Sequence, residues 1–197
     1  VQSHDTPLPD DHAGNVCVFC SASIEDPAYL GDGYTLGKLL AENQLGCVSG
    51  AGKTGVMGAV VRGSVDAGGW TGGSNVPHII ELEGLPKGLS SFWLRPDIYT
   101  RMEVMIENSD SFVAYPGGAG TVQEVLALLL MKHDGDPLMK GKPVVIFDRK
   151  DEKTGKRFWA PFIDMLSKTC CAKEFIVVDE LDDVVPAVKK AMPLVEA

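Results

Sequence analysis

Tyr115-Pro116-Gly117-Gly118-Ala119-Gly120-Thr121-Val122-Gln123-Glu124 brings three glycines, a hydroxyl and a carboxylate into ten residues. An apolar run, SFVAY, leads into the glycines, and a helical pattern follows them. Residues without a Cβ let successive N–H groups converge on one point, and a helix opening there adds unpaired donors and the positive end of its dipole. The chemistry this favours is binding of an anion such as phosphate by Gly117, Gly118, Ala119, Gly120 and Thr121, with the Thr121 hydroxyl as a further donor. Glu124 falls one turn into the helix, three residues after Thr121. A phosphate would repel its carboxylate, so Glu124 must face another part of the ligand. The plainer reading of the pair is a capping box, with Thr121 as N-cap and Glu124 three residues on.

A second glycine-rich turn is Ser49-Gly50-Ala51-Gly52-Lys53-Thr54-Gly55-Val56-Met57-Gly58. Gly50, Gly52 and Gly55 satisfy G-x-G-x-x-G between an expected strand and an expected helix, the setting of a dinucleotide turn. The acidic residue that would hold a ribose about 20 residues on is missing, because 68–76 contains no Asp or Glu. The turn also follows the second expected strand rather than the first. Lys53-Thr54 does not complete a P-loop, since position 47 is Cys where that motif requires Gly. The plainer reading is that these glycines allow close backbone approach. Between the two turns, a helix from about Asp97 would align Asp97, Arg101 and Met105 on one face. Arg101 is then either a planar donor for a phosphate or ribose, or half of an Asp97–Arg101 surface pair.

Such turns need strands that end at one edge, and the hydrophobic pattern supplies them. Short apolar runs at 15–20, 46–49, 76–80, 111–115, 143–147 and 175–178 read as strands. Segments 26–43, 55–67, 97–108, 121–132, 158–167 and 181–192 read as helices. Strands such as PVVIF are apolar throughout, as expected when helices cover both faces of a parallel sheet. The fold class is α/β, a single doubly wound, mostly parallel sheet with helices on both faces, which binds ligands at strand carboxyl ends. Residues 1–14, polar and carrying Pro7 and Pro9, are expected to form a mobile tail before one domain over 15–197.

The 197 residues carry 18 Lys and Arg against 27 Asp and Glu, a net charge of −9, which disfavours nucleic-acid polymers and anionic membranes as partners. The longest apolar stretch, 125–131, has seven residues, too few for a membrane helix. The first residues contain no apolar secretory segment, and five cysteines, an odd number, fit a reducing compartment, so a cytoplasmic location is expected. Cys17 and Cys20 lie on a strand, where residues three apart face opposite ways and cannot share a metal, so both are expected as buried structural thiols. Cys170 and Cys171 stay unassigned. His78 and His133 belong to no motif and are expected to be structural, and no cluster has metal-ligand spacing.

PGGAGTVQE at 116–124 matches the PGGxGTxxE motif of the LONELY GUY family of cytokinin riboside 5′-monophosphate phosphoribohydrolases, members of which are often labelled lysine decarboxylases. Gly50 to Gly58 resembles that family's GGGxxGxMG turn, and Cys20-Ser21-Ala22-Ser23 its first strand end; the resemblance extends over about residues 15–190. It implies a Rossmann-like fold and hydrolysis of the N-glycosidic bond of a nucleoside 5′-monophosphate, with no cofactor. It further implies Arg101 and Glu124 as catalytic residues, and a homodimer or larger assembly with neighbouring subunits completing the site. Ser21, Gly50, Gly52 and Met105 join the 117–121 loop as candidate substrate-binding residues. The chain departs from the family where an Arg-Lys pair becomes Arg101-Met102 and a Glu-Glu pair becomes Gln123-Glu124. The run PDIxxRxE at 96–103 also resembles the broader purine and pyrimidine nucleotide 5′-monophosphate nucleosidases. The alternatives are a non-catalytic nucleotide or cofactor carrier using the same cradle and, weakened by the missing ribose acid, an NAD-dependent enzyme.

Overall fold

The computed structural model describes residues 1–169 and 171–192. Cys170 and the last five positions of the expected domain lie outside the described residues. Seven strands, β1 (Gly14–Phe19), β2 (Leu45–Ser49), β3 (Thr71–Asn75), β4 (Ser91–Leu94), β5 (Ser111–Ala114), β6 (Val144–Phe147) and β7 (Ile176–Val178), form one sheet in the order β4-β3-β2-β1-β5-β6-β7. Every pairing is parallel. The helices are α1 (Pro27–Glu42), α2 (Gly55–Asp66), α3 (Pro77–Glu83), α4 (Ile98–Glu107), α5 (Ala119–Asp134), α6 (Ala160–Ser167) and α7 (Val184–Ala191).

The alternating faces of the strands divide the core in two. Val16, Val18 and Cys20 pack with α1, α2 and α7, whereas Cys17 and Phe19 pack with α4, α5 and α6. Cys17 and Cys20 are therefore buried on opposite faces, the arrangement that their spacing on a strand requires. Burial raises both thiols well above the usual thiol range.

Two departures from the expected elements concern the same stretch. The third strand is Thr71–Asn75, not 76–80, and Ser91–Leu94 adds a strand that the hydrophobic pattern did not reveal. Pro77 could not donate to a sheet ladder; it sits instead at the first turn of α3, where its missing N–H costs nothing. The strand TGGSN needs its glycines because Gly72 faces the Trp70 and Trp93 rings, which leave no room for a Cβ. Of residues 1–14, expected as a mobile tail, Ser3, His4, Asp5 and Thr6 lie along β4. His4 pairs with Phe92 in an antiparallel bridge, the Trp93 indole N–H donates to Asp5 (2.8 Å), and the Trp70 indole N–H donates to the Thr6 carbonyl (3.0 Å). No helix among the described residues is long and apolar enough to cross a membrane.

Candidate functional site

The strand order reverses between β1 and β5, and the connections leaving them diverge around a cleft of about 280 Å³. That is the switch point at which open parallel sheets bind ligands. One wall is the start of α5. Gly118 is the N-cap, and the helix opens at Ala119, two residues before the expected start. No side chain caps it, so Thr121 and Glu124 do not form the capping box. The first N–H groups of the helix are left without a side-chain partner at the edge of the cleft, which Gly118, Ala119, Gly120 and Thr121 line. Nothing stands within 4 Å of where a side chain at Gly118 or Gly120 would begin, so the loop is open on the ligand side. Gly117 is not in the wall; it is buried behind it, with Thr121 filling the place a Cβ would take.

Arg101 and Glu124 meet across the cleft, with Nη1 3.8 Å from Oε1 and side chains only 13% and 16% exposed. Arg101 is fixed from the other side as well. Its Nε donates to the Ser74 carbonyl at the end of β3 (2.9 Å), and its Nη2 donates to the Gly50 carbonyl after β2 (3.1 Å). A planar donor held at two carbonyls and a carboxylate has little rotational freedom left. Burial pushes the Glu124 carboxyl up to about 7, and the opposing pull of the Arg101 charge is the smaller effect. Asp97 does not pair with Arg101. It caps α4, accepting from the N–H groups of Tyr99 (2.9 Å) and Thr100 (3.0 Å), and so positions the helix that carries the guanidinium.

Besides Gly117, three further candidate positions fall outside the cleft. Met105 is fully buried in the core, because α4 runs back from the strand ends at about 1.5 Å per residue and four residues carry it about 6 Å inward. Gly50 and Gly52 support the site from behind. A side chain at Gly50 would take the place of the Arg101 guanidinium, and the Gly52 N–H donates to the Met57 sulfur (3.1 Å). The same turn clasps the end of β1, where Met57 N–H donates to the Ser21 carbonyl (3.1 Å) and the Thr54 hydroxyl to the Ala22 carbonyl (3.0 Å). The G-x-G-x-x-G spacing thus serves close backbone approach. Ser21 does line the cleft, its hydroxyl accepting from the N–H groups of Ser23 (3.0 Å) and Ile24 (3.2 Å).

The remaining wall was not foreseen: Met57, Ile79 and Glu83. The last two lie on α3, whose signature was present in Pro77 just inside its start and Gly84, at φ +70°, just past its end. The departures from the family's paired residues lie away from the cleft, since Met102 packs against the core and Gln123 is exposed. His78 is exposed, and His133 approaches Glu174 (3.7 Å) near the end of α5. Among the described residues no His, Cys, Asp and Glu group could hold a metal ion.

In class, the chain is a doubly wound, Rossmann-like α/β protein. The family model described as "Possible lysine decarboxylase" matches residues 57–197. The chain is 29% identical over 175 residues to the cytokinin riboside 5′-monophosphate phosphoribohydrolase of Mycobacterium marinum, covering 87% of this chain and 91% of that protein. It is 33% identical over 135 residues to a probable enzyme of the same name from Oryza sativa subsp. japonica, covering 66% of this chain and 55% of that one. Among solved structures, the molybdenum cofactor carrier protein of Chlamydomonas reinhardtii superposes with a TM-score of 0.69 at 21% identity, covering 90% of this chain and 97% of that one. That likeness concerns the fold alone. The chain belongs to the possible lysine decarboxylase family of LONELY GUY type.

Proposed function

We propose that the chain hydrolyses the N-glycosidic bond of a nucleoside 5′-monophosphate, of the cytokinin riboside monophosphate or AMP type, releasing the free base and ribose 5-phosphate. The observation that carries this reading is the largely buried Arg101–Glu124 pair placed beside an uncapped helix N-terminus. The 5′-phosphate would be held by the N–H groups of residues 118–121 and the Thr121 hydroxyl. Local dipoles decide its affinity, because the global −9 is screened within about 8–10 Å.

Breaking the bond between the ribose C1′ and the base nitrogen builds positive charge on the sugar, as in other glycoside hydrolyses. Ionised Glu124 stabilises that charge and takes a proton from the attacking water as the new C1′–O bond forms. The base leaves with the bonding electron pair and takes up a proton. Arg101 anchors the nucleotide and lowers the cost of keeping Glu124 ionised. Positioned charge of this kind contributes about 3–4 kcal/mol, so Glu124→Ala should cut kcat at least about a hundredfold.

The test is incubation of the purified protein with AMP, CMP, GMP, IMP and isopentenyladenosine monophosphate, with chromatography for free base. Release from none of them, or release undiminished in Glu124→Ala, would sink the reading. Tight nucleotide binding without release would instead mark a carrier using the same cradle. Under the same proposal the working unit is a homodimer or larger assembly, as the family resemblance implies.

A further inference from the structure

Glu83 has no role in the chemistry just described, yet its carboxylate lines the same cleft. It is half-buried, and it makes no hydrogen bond or ion pair with the described residues. Its position is fixed rather than incidental. Glu83 is the last residue of α3, and Gly84 ends the helix there in a left-handed conformation, donating its N–H to the Ile80 carbonyl (2.8 Å). The carboxylate comes to rest near Gly52, where the missing side chain leaves it room.

Its neighbours in the wall are Ile79, from the same helix, and the nearly buried Met57. The three make a surface that is apolar in its body with one acceptor at its edge, the chemistry that suits the face and one edge of a heteroaromatic ring. The helices of this wall follow β2 and β3, while the proposed phosphate cradle follows β5, two and three strand positions away in the sheet. Arg101 and Glu124 lie between, with Arg101 reaching the strand ends of the β2–β3 side. A nucleotide with its phosphate on the 118–121 loop and its sugar at Glu124 therefore extends its base toward α3.

We propose that Glu83 reads the base, accepting a hydrogen bond from an exocyclic amine, so that the site prefers amino-bearing bases such as adenine. This rests on the nucleotide reading above and adds to it the group that selects the base. An ionised carboxylate is acceptor-only, so it favours a ring that presents N–H donors and leaves a ring without one unrewarded.

The test compares AMP with purine riboside 5′-monophosphate, which differs only in carrying hydrogen in place of the amine. Affinities are measured by calorimetry in a Glu124→Gln background, so that turnover does not intrude. A hydrogen bond to a charged group at a partly exposed site predicts that AMP binds about tenfold tighter. Glu83→Leu and Glu83→Ala, each checked for folding by circular dichroism, should bring the two ligands within twofold of each other while leaving affinity for inorganic phosphate unchanged. Equal affinities with Glu83 in place, or a preference that survives both substitutions, overturn the assignment. The affinity ratio is separate from catalysis. A chain that releases no base yet shows the Glu83-dependent preference loses the hydrolase reading alone, and one that binds neither nucleotide loses both.

Discussion

A carboxylate acts as a base at neutral pH only if it is ionised there while still holding appreciable affinity for a proton. At Glu124, burial raises the group to about 7 while Arg101 resists the rise. If ionised Glu124 is the working form, kcat/KM climbs with pH to a plateau, with a midpoint near 7. Arg101→Met removes the resisting charge, so the midpoint should move to higher pH even as the overall rate falls; a midpoint that stays put or drops contradicts the pairing. The same shift has a stability consequence of definite sign. The folded state binds the Glu124 proton more tightly than an unfolded chain with its ordinary value of 4.5, so stability declines as pH rises from about 4.5 to about 7. At about 1.4 kcal/mol per pH unit, the ionised group costs about 3 kcal/mol above pH 7. Denaturant melts should accordingly find Glu124→Gln more stable than the parent at pH 8 and nearly equal to it at pH 4.

At the scale of elements, the site depends on where α5 begins. Gly118 has φ −87° and ψ −154°, a conformation open to any residue, and its missing side chain faces empty space. Gly118→Ala should therefore cost less than about 1 kcal/mol in a urea melt. The new methyl group occupies the ligand's side of the cradle, so KM for the nucleotide should rise about tenfold. Gly117→Ala pushes against Thr121 inside the fold and should lose stability as well as activity. If Gly118→Ala binds nucleotide normally, the cradle is not where the phosphate sits. Most of this architecture was legible in the chain, because β1, β5 and β6 are apolar runs and the PGGAGT loop carries its own signature. The α3 wall was not, for physical reasons. β3 is made of Thr, Gly, Ser and Asn, buried because two indole rings fill the space Gly72 leaves and Ala51 lies against Gly73, and no local pattern reports that packing. With β3 displaced by five residues, α3 disappeared into it and took Ile79 and Glu83 out of view. The glycines of 50–58 were visible, but the same spacing serves a dinucleotide or a tight clasp, and the contacts that separate the two, Arg101 on the Gly50 carbonyl and Met57 and Thr54 on the end of β1, join residues far apart in the chain.

At the scale of the whole molecule, α5 carries the cleft at its N-terminus and presents an unpartnered apolar stripe along its length. Leu126 and Leu130, one turn apart, are 37% and 52% exposed, while Val125, Leu128 and Leu129 on the inner face are fully buried. A further apolar pair, Ile98 and Tyr99, is exposed at the start of α4, the helix that carries Arg101. Both helices that supply the reacting groups, α5 from its first turn and α4 at Arg101, thus leave apolar side chains in water. A second copy covering them would bury surface at about 25 cal/mol per Å² and would also hold the two helices against each other. A stable interface needs about 800 Å² from each partner, so these residues could form its centre but not the whole of it. Light scattering coupled to size exclusion should give a mass twice that of the chain. The double substitution Leu126→Glu, Leu130→Glu should return a monomer with unchanged far-ultraviolet circular dichroism. If neighbouring copies complete the cleft, that monomer should lose most of its kcat even at saturating nucleotide, because neither leucine lines the cleft of its own chain. A parent protein of single-chain mass, or a charged variant that remains dimeric, would place the interface elsewhere or remove it.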